Sequence, residues 1–112
     1  MGCLLFYTVG NMQSVTSNAV AKKISSWELL VEFQNGGSFT VPEDAVEVNI
    51  NIGANAVSSN GSATLIMASM TNITSFIVSC NNNQRSNFSV TDSGRTFTNT
   101  GGDYRYMTVY YR

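Results

Sequence analysis

The chain has 112 residues, enough for one domain, of which 43% are hydrophobic and only 12% charged, with a formal net charge of −1; a globular domain usually carries roughly 25% charged residues. Disorder is excluded, because it goes with low hydrophobicity and high net charge. No nucleic-acid partner is expected: the six Lys and Arg residues are scattered, only Lys22 and Lys23 adjoin, and no basic footprint exists to draw on phosphate attraction.

The first residues, Met1 to Val9, are apolar. They lack a charged leading region and are too short to span a bilayer, so they read as a strand or an extended arm. Met1-Gly2-Cys3 suggests lipidation only weakly, since Phe6 stands where the myristoylation pattern wants Ser or Thr. No later run is long enough for membrane insertion. Residues 11–26 predict a short helix, capped by Thr16 or Ser17. Val20 and Ile24 lie four apart and share a face. So short a helix is marginal alone in water and must pack on the β-domain or on copies of itself.

From Trp27 to Gln34 the pattern alternates, with Trp27, Leu29, Val31 and Phe33 on one face and Glu28, Glu32 and Gln34 on the other, as in a half-buried strand. The spacing Val20, Ile24, Trp27, Val31 also permits a longer helix. Asn35-Gly36-Gly37 is a turn signal, Ser38 to Val41 a short strand, and Pro42 ends it. Val46 to Ile52 is the clearest strand, with Val46, Val48, Ile50 and Ile52 on one face. Asn60-Gly61 turns into a strand over Ala63 to Met70. That strand is apolar on both faces and reads as buried on both sides. A subunit interface, with Leu65 and Met67 as its candidates, would supply the second cover.

Ile73 to Cys80 is another strand of this kind, and Asn81, Asn82, Asn83 and Gln84 form a polar tip. Asn87 to Thr91 and Thr96 to Thr100 are short strands about the turn Asp92 to Arg95. Tyr104 to Arg112 closes the pattern, with Met107, Val109 and Tyr111 on one face and Tyr104, Tyr106 and Tyr110 on the other. Short strands separated by Gly and Asn turns predict an all-β fold, mainly an antiparallel β-sandwich or a jelly roll of about eight strands, with one short N-terminal helix. Residues 1–26 form the arm and helix and residues 27–112 the β-sandwich domain. Cys3 and Cys80 read as free thiols, since a disulfide scaffold would carry more cysteines.

The residue types argue against catalysis. The sequence has no histidine, which removes Ser–His and Cys–His pairs and most zinc sites. No glycine-rich phosphate cradle precedes a helix. Glu28 and Glu32 share a strand face and read as solvated. Glu43, Asp44 and Glu47 cluster around a turn without the spacing of a calcium loop. No catalytic, cofactor or metal residues are expected. Two features suit binding: the Tyr104, Tyr106, Tyr110 face, with flat apolar bodies and polar tips, and the uncharged Asn81, Asn82, Asn83 tip, which offers glycan hydroxyls donors and acceptors.

The stretch from Gly10 to Ile24, with Val15-Thr16-Ser17-Asn18-Ala19-Val20 at its centre, resembles a segment of phage and prophage tail-fibre-like proteins. In those proteins it runs into a short helix before a terminal β-domain. The resemblance implies a virion structural protein, assembled in the bacterial cytoplasm and then extracellular, that works in assembly and in host-receptor (glycan) binding. It also implies a homotrimer with other virion proteins as partners, Val15, Val20 and Ile24 facing the threefold axis, and host contact through loops 54–61 and 81–86. The alternative is a monomeric carbohydrate-binding or Ig-like module of a secreted bacterial protein.

Overall fold

Period-two alternation produces two sheets. The computed structural model describes residues 4–9, 26–80 and 84–112. Among them are nine strands: β1 (Leu4–Val9), β2 (Glu28–Asn35), β3 (Gly37–Thr40), β4 (Glu47–Gly53), β5 (Gly61–Ile66), β6 (Ile73–Cys80), β7 (Gln84–Thr91), β8 (Thr96–Gly102) and β9 (Tyr106–Tyr111). The five-stranded sheet has the order β1-β6-β7-β8-β3 and the four-stranded sheet the order β2-β9-β4-β5, with antiparallel pairing throughout. The mainly antiparallel all-β expectation holds, and the arrangement is sandwich-like, with β6, β7 and β8 running as a meander within one sheet. Of the helix expected over 11–26, with Val15, Val20 and Ile24, all but Ser26 lies outside the described residues. So do Asn81, Asn82 and Asn83 and the side chains of Cys3 and Cys80.

Because successive side chains in a strand point to opposite faces, each sheet sends every second residue into one core. Val48, Ile50 and Ile52 come from β4, Leu65 from β5, and Met107 and Val109 from β9; Phe76, Val78, Phe88, Val90 and Phe97 come from the other sheet. Phe76 stacks on Phe88 with ring centroids 4.9 Å apart and 10° between planes, and Phe97 meets Phe76 edge-on at 5.5 Å and 75°. Offset and edge-on pairs are the arrangements the aromatic quadrupole favours.

Two expectations are corrected. The strand expected to run to Met70 stops at Ile66, and Met67–Ser69 form a 3-10 turn. The Ser69 hydroxyl donates to the Ile66 carbonyl at 2.7 Å, and the Met67 N–H donates to the Val46 carbonyl at 2.8 Å. The alternation therefore ends there, and Ile66 is left 53% exposed instead of covered. Leu65 is fully buried in the chain's own core, where the opposite sheet covers it, and Met67 is partly buried against that core.

The second correction concerns β2. Its pairing with β9 shifts between Leu29 and Val31 and again between Val31 and Gln34. A bulge adds a residue to one strand and resets which face the next side chain takes. Leu30 and Val31 consequently pack on the core, while Leu29 and Phe33 are exposed. Trp27, Leu29, Val31 and Phe33 do not form one inward face.

Candidate binding face

The outer face of the four-stranded sheet is ordered by its register. Leu29 pairs with Tyr110, Tyr110 with Asn49, and Asn49 with Thr64. In the next row Thr108 pairs with Asn51, and Asn51 with Ser62; Phe33 adjoins this row, its N–H donating to the Thr108 hydroxyl at 3.1 Å. Inward Val48, Ile50 and Ile52 force Asn49 and Asn51 outward, since β4 alternates without a break.

The amides form a connected ladder. Asn49 Nδ2 donates to Ser62 Oγ and Thr64 Oγ1, both at 3.0 Å. Asn51 Nδ2 donates to Asn49 Oδ1 at 2.7 Å and to the Thr108 carbonyl at 3.1 Å. Each hydroxyl that accepts still carries its own hydrogen to donate. The ladder therefore holds the amide planes in place and presents uncharged polar groups to solvent.

At one end of this face Trp27, Asn49, Thr64 and Tyr110 line a cleft of about 420 Å³. The Arg112 guanidinium lies 4.2 Å from the centroid of the Trp27 ring, and Arg112 Nε donates to Glu47 Oε1 at 2.8 Å. Backbone bonds fix Arg112 in turn: its N–H donates to the Glu47 carbonyl at 3.0 Å, and the Val46 and Glu47 N–H groups donate to its carbonyl at 2.7 and 2.9 Å. Two exposed aromatic rings beside a fixed amide and a hydroxyl suit a ligand with both apolar C–H faces and hydroxyl edges. A few polar groups converging beside aromatic walls is the usual composition of a small-molecule site.

Of the three tyrosines expected to share a face, Tyr106 and Tyr110 lie on the outer side, and Tyr110 opens into the cleft. Tyr104 does not: it precedes β9, and only 6% of it is exposed. Its hydroxyl donates to Gln84 Oε1, and its carbonyl accepts from the Ser86 hydroxyl. It is a buried brace between β7 and the segment entering β9. Trp27, Asn49 and Thr64 are site residues that sequence reasoning missed. The regular Asn49 and Asn51 positions among isoleucines were the signal that could have found the amide ladder.

The acidic turn is taken apart by pairing. Glu43 Oε1 accepts from Arg95 at 2.8 Å, Asp92 Oδ2 accepts from the same guanidinium at 3.0 Å, and Glu47 pairs with Arg112. The hydrogen bonds that Arg95 donates to Glu43 and Asp92 raise its pKa above its ordinary value. A second cleft, of about 340 Å³, lies beside this network among Pro42, Ala45, Met67 and Arg95. Among the described residues no group of three or more metal-ligating side chains gathers, and no helix is long and apolar enough to cross a membrane.

No family model, curated protein or solved structure matches the chain.

Proposed function

We propose that the chain is a non-catalytic β-domain of a virion appendage of the tail-fibre type, and that the outer face of its four-stranded sheet binds a neutral saccharide. The observation that carries the binding part is the Trp27–Tyr110 cleft with its fixed Asn49 amide and Thr64 hydroxyl. It combines aromatic area with uncharged hydrogen-bonding groups, and the Arg112 that stacks on Trp27 is paired with Glu47. The appendage part rests on the resemblance carried by residues 10–24. Under this reading the segment holding Val15, Val20 and Ile24 gathers three chains, and Asn81, Asn82 and Asn83 are a second candidate glycan contact. Host surface glycan and other virion proteins are the partners. No cofactor is required.

One observation favours a second reading, a monomeric carbohydrate-binding module of a secreted bacterial protein. Leu65 is fully buried within the chain itself, so the β-domain needs no second subunit to hide it.

Two measurements separate the readings. Light scattering on a size-exclusion column gives the mass in solution, and binding to immobilised neutral glycans tests the face. A trimer that binds glycan supports the appendage reading, and a monomer that binds glycan supports the secreted module. Absence of binding to every neutral glycan, with the protein folded, sinks the saccharide reading in both forms.

A further inference from the structure

We infer that Phe33 is a second stacking position on this face and that the ligand is an oligosaccharide lying along the strands from the Trp27 cleft toward Phe33. The inference rests on the saccharide reading above and names its reach.

Phe33 has φ of 47°. A bulky residue in the left-handed region is a backbone outlier, and such outliers gather where function needs a side chain in a fixed place. The pairing shift between Val31 and Gln34 sets Glu32 and Phe33 together against the single residue Thr108. Bulges of this kind re-aim side chains beside binding sites. Burial does not account for the strain, because Phe33 is 42% exposed. Glycine or asparagine would hold the same backbone at lower cost, yet the position carries an aromatic ring that is turned out to solvent. The Thr108 hydroxyl receives the Phe33 N–H, so the strained backbone group is satisfied and its place on the face is set.

The spacing fits a chain of sugar rings. Arg112, which carries Trp27, Tyr110 and Thr108 fall at every second residue along one strand line, a step of roughly 7 Å. Each step is the scale of one ring. A monosaccharide in the Trp27–Tyr110 cleft would not touch Phe33, whereas a longer chain would.

The test is titration of the full chain with glucose, galactose and N-acetylglucosamine oligosaccharides of increasing length, by calorimetry, with Phe33→Asn and Trp27→Ala beside the unaltered protein. Phe33→Asn is expected to leave monosaccharide affinity unchanged and to weaken the longer oligosaccharides by about tenfold. Its Tm is expected to hold or rise, because asparagine tolerates the left-handed region. Equal binding of every length by Phe33→Asn and the unaltered protein, with Trp27→Ala impaired, overturns the inference and leaves the cleft reading intact. No binding by the unaltered protein overturns both. A clear fall in Tm, or a loss of oligomer mass in Phe33→Asn, reassigns Phe33 to packing or to a subunit contact and overturns the inference as well.

Discussion

Arg112 holds Trp27 from one side while being held by Glu47 from the other: its guanidinium is 4.2 Å from the indole centroid, and its Nε is 2.8 Å from Glu47 Oε1. A cation–π contact of this kind is worth about 0.5–1 kcal/mol at an exposed site. Its larger consequence is orientation of the ring that walls the cleft. Arg112→Ala should therefore lower stability by about 1 kcal/mol and weaken saccharide binding several-fold. Trp27 is the single tryptophan in the sequence, so its emission reports on this contact directly, and it should shift to the red in the variant.

Tyr104 and Tyr110 should separate cleanly. Tyr104→Phe removes the hydroxyl bonded to Gln84 Oε1, which should cost about 1 kcal/mol in urea unfolding and leave binding unchanged. Tyr110→Ala should do the reverse, with little change in the urea midpoint and loss of saccharide binding. Loss of binding in Tyr104→Phe at full stability would contradict the buried position of that residue.

The aromatic centre of the core should be the most sensitive place to truncation. Phe76 touches both Phe88 and Phe97 and is 1% exposed. Phe76→Ala should cost about 3–5 kcal/mol, read as a lower urea midpoint at unchanged slope. A cost near zero would mean that the two sheets do not pack through this residue.

Gly94 should not tolerate alanine. Its φ is 91°, and a Cβ there would be driven into the Met70 carbonyl. Gly94 closes a turn in which Asp92 and Ser93 also take positive φ, at 55° and 54°. Gly94→Ala should cost about 2–3 kcal/mol, checked by thermal unfolding.

Stability should fall in alkali through Tyr111. The negative charge of Glu28 beside it, then burial, then Asp44, raise the Tyr111 pKa above the ordinary 10.0. The folded state thus keeps a proton that the unfolded state releases, so the contribution is complete below about pH 10 and is lost as pH rises through the folded value. Unfolding followed between neutral pH and pH 12 should show a decline that Tyr111→Phe makes shallower, with late phenolate absorbance at the same group.

Strands whose alternation is unbroken are legible in the order of their residues. Val48, Ile50 and Ile52 are inward as their spacing requires, and so are Met107 and Val109. β6 runs from Ile73 to Cys80 as the apolar run implies. Tyr104 departs from its expected face because the period of two does not extend through the residues that precede β9. Phe33 and Leu29 depart from theirs because the two bulges in β2 leave no mark in composition.

Local pattern by itself determined that this chain makes antiparallel strands with turns at Asn and Gly, since side-chain alternation and turn chemistry act over a few residues. The tertiary structure decided which faces became core and which became site. Leu65 went inward because the opposite sheet was there to cover it. Trp27, Asn49, Thr64 and Tyr110 met in one cleft because β2, β9, β4 and β5 lie side by side. Pairing between strands distant in sequence depends on burial and on register, and those are properties of the assembled sheets.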